Sequence, residues 1–165
     1  MARWGSVDFQ QLKNLQKRME KLQSREFEKF CEGVAKELAA RLLAKVIKRT
    51  PVGQYPNSSG KNGGTLRRGW TAKTHAEAAA SSSNKSAKAY AESLPVTKTG
   101  HVFQIEVINP VHYAPYVEFG HRTRSHKGWV KGQFMLTISE DELRSQSQKI
   151  VDRKVEEFLR KCFSD

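Results

Sequence analysis

Residues 101–120 read His101-Val102-Phe103-Gln104-Ile105-Glu106-Val107-Ile108-Asn109-Pro110-Val111-His112-Tyr113-Ala114-Pro115-Tyr116-Val117-Glu118-Phe119-Gly120, and the hydrophobic period changes midway. In the first half Phe103, Ile105 and Val107 alternate with Gln104 and Glu106. That period of two marks a half-buried strand over 101–109, which Pro110 ends. In the second half Pro115 comes early and Gly120 last, an order that suits one or two helical turns with a glycine stop. Tyr113, Tyr116 and Phe119 recur every three residues and lie along one side of those turns. They are expected to pack on the sheet or at a subunit boundary.

Upstream, Phe9, Leu12, Leu15, Met19 and Leu22 recur at helical spacing. Ser6 or Asp8 suits the start of that helix. Ser24 then interrupts and caps a second helix. Its stripe runs from Phe27 through Phe30, Cys31, Val34, Leu38, Leu42 and Val46 to Ile47 and reaches about residue 49. Pro51 disfavours helical geometry at Thr50 and stops it. Residues 51–64 have loop composition. Thr65–Lys73 is read as a strand on the alternation of Leu66, Trp70 and Ala72, pairing antiparallel with 101–109. Between them, residues 75–99 are rich in Ala, Ser and Lys. The part 76–84 has almost no large apolar residue and is expected to bury no core face, 86–94 suits a short helix, and 75–99 overall is expected to be a mobile excursion.

Downstream, Ser139-Glu140-Asp141-Glu142 reads as a capping box for a closing helix through Cys162. The order is helix, helix, strand, strand, short helix, long helix. The expected fold is α+β: long N-terminal helices and a long C-terminal helix packed on a small antiparallel sheet. A two-stranded sheet is marginal alone. A third strand is therefore expected from Trp129–Lys131, from part of 54–62, or across a subunit boundary.

At 165 residues the chain fits a single domain over 1–165. With 38% hydrophobic and 28% charged residues it is not the profile of a disordered chain. No apolar run approaches a membrane span, and the polar opening predicts no secretory signal. Cys31 and Cys162 are too few for a disulfide scaffold or a four-cysteine zinc site. They are read as small buried hydrophobes in a reducing cytoplasm. The net charge is +12, with 12 basic and 6 acidic residues in 1–50 and 7 and 2 in 51–100. Such a balance favours anionic partners, nucleic acid or acidic protein surfaces.

Catalytic constellations are absent from the sequence. The five histidines are not spaced as a metal pair. Gly60-Lys61-Asn62-Gly63-Gly64-Thr65 lacks the order of a phosphate loop, and there is no G-x-S-x-G elbow. No catalytic residue, metal or cofactor is expected. Glu106 reads as a solvated strand residue. Glu118 reads as an ion-pair partner for Arg122, Arg124 or an arginine of another subunit, or else as a solvated carboxylate. From His121 to Lys131 the chain carries Arg122, Arg124, Lys127 and Lys131, two histidines and no acid. That run is open to three readings: a solvated loop, a contact to nucleic-acid phosphates with Trp129 interleaved, or a dock for acidic patches of a neighbouring subunit.

Four blocks in order resemble a known family: Thr50-Pro51-Val52; Gly64-Thr65-Leu66-Arg67-Arg68-Gly69-Trp70; Asn109 to Thr123 with its Tyr-Ala-x-Tyr-Val-Glu-Phe-Gly core; and Phe134-Met135 before the last helix. The chain resembles the phage head–tail joining or tail-component proteins, closest to members in PBSX-type defective prophages and contractile-tail particles, over about residues 25–163. Two insertions, 53–64 and 75–99, depart from the usual pattern. The resemblance implies a structural, non-enzymatic, ring-forming part of the virion neck, assembled in the host bacterial cytoplasm. Its implied partners are itself (a hexameric ring), the head connector, tail-tube or tail-terminator proteins, and DNA passing through; no membrane is implied. The residues this marks are Pro51, Leu66, Arg67, Arg68, Trp70, Tyr113, Tyr116, Phe119 and Gly120. The basic run and Glu118 are the expected assembly interface. A basic nucleic-acid-binding accessory protein is the alternative.

Overall fold

A computed structural model describes residues 10–22, 25–60, 63–81, 83 and 85–163. The caps expected at Ser6, Asp8 and Ser24 lie outside the described residues. Helix α1 spans Gln10–Leu22 and α2 spans Arg25–Arg49. Lys48 and Arg49 occupy the last turn of α2, where the helix dipole favours cations. After a 3₁₀ turn at Asn57–Ser59 come α3 (Thr65–Gly69), α4 (His75–Ala80) and α5 (Ala87–Ser93). Strands β1 (Thr97–Thr99) and β2 (Val102–Gln104) form one antiparallel hairpin, with Lys98 opposite Phe103. Then follow α6 (Ala114–Phe119), the hairpin β3 (Gly120–Arg122) and β4 (Trp129–Lys131), and α7 (Met135–Phe163). The fold is α+β, mostly helical, with two separate two-stranded sheets among the described residues and a long helix α7.

Helix α2 is the spine, packed on one side by α5 and on another by α7. Its inner residues Leu43 and Val46 are fully buried, beside Leu66, Trp70, Val111 and Met135. At the far end Phe30 stacks on Phe158, with centroids 4.5 Å apart. Glu142 of α7 pairs with Lys45 at 3.0 Å and with Arg49, fixing the two long helices to each other.

Five readings are corrected. Residues 65–69 are helical and are not a strand. Leu66, Gly69 and Trp70 are the buried positions, spaced i, i+3, i+4, and that spacing outweighs the apparent alternation. Consequently 101–109 does not pair with 65–73. Only Val102–Gln104 is paired, with β1, although Phe103, Ile105 and Val107 are half-buried in alternation as expected. Helix α4, at 75–80, does bury a face. Ala78 is fully buried, as is Ala91 of α5, and small side chains let the backbone approach closely. The carbonyl of Ala78 accepts from Arg68 Nε at 2.9 Å, and Tyr90 donates to the Ala72 carbonyl at 3.3 Å. Helix α7 starts at Met135, so Ser139 is no cap. It is fully buried inside the helix and donates to the Met135 carbonyl. Finally, Cys31 and Cys162 are half-buried rather than buried, and both are free.

Trp129–Lys131 is a strand, as one of the sequence alternatives had it, but its partner is β3 rather than either segment read as a strand. The helix expected at 113–120 is α6, with Pro115 in its first turn and Gly120 at its end.

Candidate functional site

The sequence blocks that carry the family resemblance meet at one knot. Thr50, fully buried at the end of α2, is held from three sides. Trp70 Nε1 donates to its hydroxyl at 2.8 Å, and Arg67 donates to its carbonyl at 3.0 and 2.6 Å. The hydroxyl itself donates to the Val46 carbonyl at 2.6 Å. Arg68 turns the other way, to the carbonyls of Ala78 and Gly63. Asn109 closes the knot, donating to the Leu66 carbonyl at 2.9 Å and accepting from the Val111 amide. Gly69 allows this approach, since a Cβ there would stand 2.2 Å from Asn109 Oδ1. Leu66, Arg67, Arg68 and Trp70 are therefore structural. Pro51 is exposed and rims a pocket of about 280 Å³ with Tyr55, Leu66, Tyr113 and Val117. Burial, with Tyr55 nearby, pushes the Tyr113 phenol up.

The knot sets α6, and α6 sets the start of α7. Glu118 is only 6% exposed. Its carboxylate accepts from the amides of Leu136 and Thr137 at 3.0 and 2.9 Å, and from the Thr137 hydroxyl at 2.8 Å. A carboxylate at the first turn meets both the unpaired amides and the positive end of the helix dipole. The ion pair expected with Arg122 or Arg124 is thus replaced by a cap supplied across the fold. Backbone bonds complete the joint: Gln133 N to Val117 O at 2.8 Å and Phe134 N to Glu118 O at 3.0 Å. Gly132 fits here because a Cβ would lie 2.2 Å from the Glu118 carbonyl.

From this joint rises the β3–β4 hairpin. Arg122 stands opposite Trp129, and Gly120 opposite Lys131. Cross-strand partners share a face, so Arg122, Trp129 and Lys131 lie together, with His121 and Val130 on the other face. The tip is ordered by Thr123. Its amide donates to the Gly128 carbonyl at 3.0 Å, and its hydroxyl accepts from the Gly128 amide at 3.1 Å. His126 takes a positive φ of 57° at the turn. Arg122, Arg124, Lys127 and Lys131 are all exposed, and none forms an ion pair with a described residue.

Three aromatic side chains of α6 and the hairpin are exposed as well. Trp129 is 62% exposed, Phe119 61% and Tyr116 58%. Tyr116 and Phe119 thus leave the core, and Tyr116 rests edge-on against the His121 ring at 6.1 Å. Beside them opens an apolar pocket of about 240 Å³, walled by Ile108, Pro115, Phe119 and Leu136 over Trp70 and Met135. Large exposed aromatic side chains such as these favour a surface that meets a partner. The sequence reading found the cations and Tyr116 and Phe119. It missed Thr50 and Asn109 as the knot's centre, and it missed Trp129 as the residue facing Arg122. A further contact joins His75 of α4 to His112, with Nδ1 atoms 3.1 Å apart and rings stacked at 4.9 Å.

Among the described residues no three His, Cys, Asp or Glu side chains converge as a metal-ligand set, and no helix is long and apolar enough to cross a membrane. Neither curated proteins nor solved structures give a match to the chain. A family model does: "Bacteriophage HK97-gp10, putative tail-component", over residues 13–120. That span holds the whole knot and α6 and stops at Gly120, where the basic hairpin begins. With more than half of its length matched, and with the matched blocks meeting in one buried knot, the chain belongs to the HK97-gp10-like family of phage tail components.

Proposed function

We propose that this structural phage protein is a neck or tail-completion component that forms a ring, a hexamer by the symmetry of a tail tube, and joins the head connector to the tail tube or tail terminator. It acts without catalysis, within the virion, after assembly in the host bacterial cytoplasm. The carrying observation is the hairpin: four cations with no ion pair to a described residue, and an exposed Trp129, on a ribbon largely exposed on both faces. A two-stranded ribbon of this kind is marginal alone and gains from a partner. Arg122, Arg124, Lys127 and Lys131 are the assembly contacts in this reading. Glu118 contributes by fixing the base of the hairpin, because its oxygens are already used within the chain.

Particles assembled with Arg122→Glu and Arg124→Glu together test the reading. The protein is expected to stay folded, since exposed charges contribute little to stability. Joining is expected to fail, since misplaced like charges across an interface cost several kcal/mol. Joined necks with full-length tails would refute the assembly role.

One observation favours a second reading, a nucleic-acid-binding accessory protein. Trp129 lies between Arg122 and Lys131 on one face, an arrangement that suits phosphate contacts beside a stacking ring. Binding to free DNA that falls steeply with salt, without binding to tail or connector protein, would establish it.

A further inference from the structure

The hairpin's missing counter-charge has a match on the same chain. Most acids near a cation are spoken for: Glu37 holds Arg41 and Lys154, Glu77 holds Lys85, and Glu142 holds Lys45 and Arg49. Glu118 is buried at the start of α7. Glu140 and Asp141 differ. They are adjacent, exposed, and form no ion pair with a described residue. Ile138, 42% exposed, stands three residues before Asp141 on the same side of α7. The acidic turn thus pairs carboxylates with an apolar side chain, as the hairpin pairs Arg122 and Lys131 with Trp129.

Both patches are held by firm backbone. The turn lies within a 29-residue helix. The hairpin's base is tied to α6 by the Gln133 and Phe134 amides. Among the described residues no ion pair joins the two within one chain, and both face solvent as complementary surfaces.

We propose that the hairpin of one copy docks on the Ile138–Asp141 turn of a second copy, with Arg122 and Arg124 facing Glu140 and Asp141 and Trp129 covering Ile138. This rests on the assembly reading above and names the partner surface within it. Each copy carries both halves of the contact, so the contact repeats from copy to copy and closes if the rotation allows. Opposite charges steer the encounter, and burial of the exposed apolar side chains holds it.

The test is the self-association of the full chain, measured by sedimentation at low and high salt, for four samples. These are the unaltered chain, Arg122→Glu with Arg124→Glu, Glu140→Lys with Asp141→Lys, and an equal mixture of the two variants. Circular dichroism checks that each is folded, and neutral replacements (Arg→Gln, Glu→Gln) provide a milder second pair. The unaltered chain is expected to associate, less so at high salt. Each variant alone is expected to associate roughly a hundredfold more weakly. The mixture is expected to recover, because an altered hairpin then meets an altered turn while the other two surfaces are unchanged. An unaltered chain that stays monomeric overturns the proposal. So does a lysine variant that associates normally, or a mixture that fails to recover. A monomer that still binds tail or connector protein through its hairpin would sink this inference and leave the neck reading standing. Recovery in the mixture with no binding to any tail protein would do the reverse.

Discussion

Glu118→Ala removes the acceptor of two helix amides and a hydroxyl at a buried joint. The loss is expected at about 2 kcal/mol, within the range for an unsatisfied buried donor or a lost cap. Urea unfolding followed by circular dichroism measures it, and a loss under about 0.5 kcal/mol would remove the capping role. Two aromatic residues separate structure from surface in the same assay. Trp70→Ala is expected to cost about 3–5 kcal/mol, because Trp70 is 4% exposed and its indole holds Thr50. Tyr116→Ala is expected to cost about 0.5 kcal/mol or less, because the ring is mostly solvated. Glu118 also marks a limit of reading residues by their neighbours in sequence. The basic run that follows it suggested an ion pair, whereas its partners are Leu136 and Thr137, eighteen and nineteen positions away.

At the scale of elements, Gly69→Ala raises intrinsic helix propensity in α3 yet is expected to destabilise by about 1–3 kcal/mol. The added methyl would meet Asn109 Oδ1 and Val111 Cγ2 and prise the knot apart. Thermal unfolding that shows Gly69→Ala as stable as the parent would mean the knot is looser than described. The tie between α2 and α7 is pH-dependent. Hydrogen bonds from Arg49 and then Lys45 hold the Glu142 carboxyl below its ordinary value of 4.5. A lowered native value means the tie is complete above that ordinary value and is lost as pH falls through the native one. Glu142→Gln is therefore expected to flatten the acid side of the stability profile and to leave the slope near neutral pH unchanged. An identical acid slope in both proteins would contradict this. Elements with one clear period were legible in the sequence: α2, α6 and the body of α7. The shortest helix, α3, was not, because five residues cannot distinguish a period of two from one of 3.6. Helix α5 was legible as the short helix expected over 86–94, whereas α4 was hidden for another reason: it packs through Ala78, and alanine carries too weak an apolar signal to mark a face.

For the whole molecule, a helical body with a packed knot carries one charged, aromatic hairpin. The packing of α5 on α2 predicts that limited proteolysis leaves α5 protected in the isolated chain, and early cutting within Ala87–Ser93 would show the excursion to be mobile after all. The candidate interface was only half legible. Its cations stand together in sequence, but its aromatic members Tyr116, Phe119 and Trp129 read equally well as core. Their exposure depends on how α6 and the hairpin are set by the knot. The acidic turn was misread as a helix cap, since sequence placed the start of α7 one turn late. The most direct test of the account is the mass of the purified chain, measured by light scattering, alone and mixed with tail-tube protein. The account predicts a multimer of defined size alone and a larger, stable complex with the tube protein. A monomer that ignores the tube protein at every concentration, while binding DNA with a steep salt dependence, would contradict it.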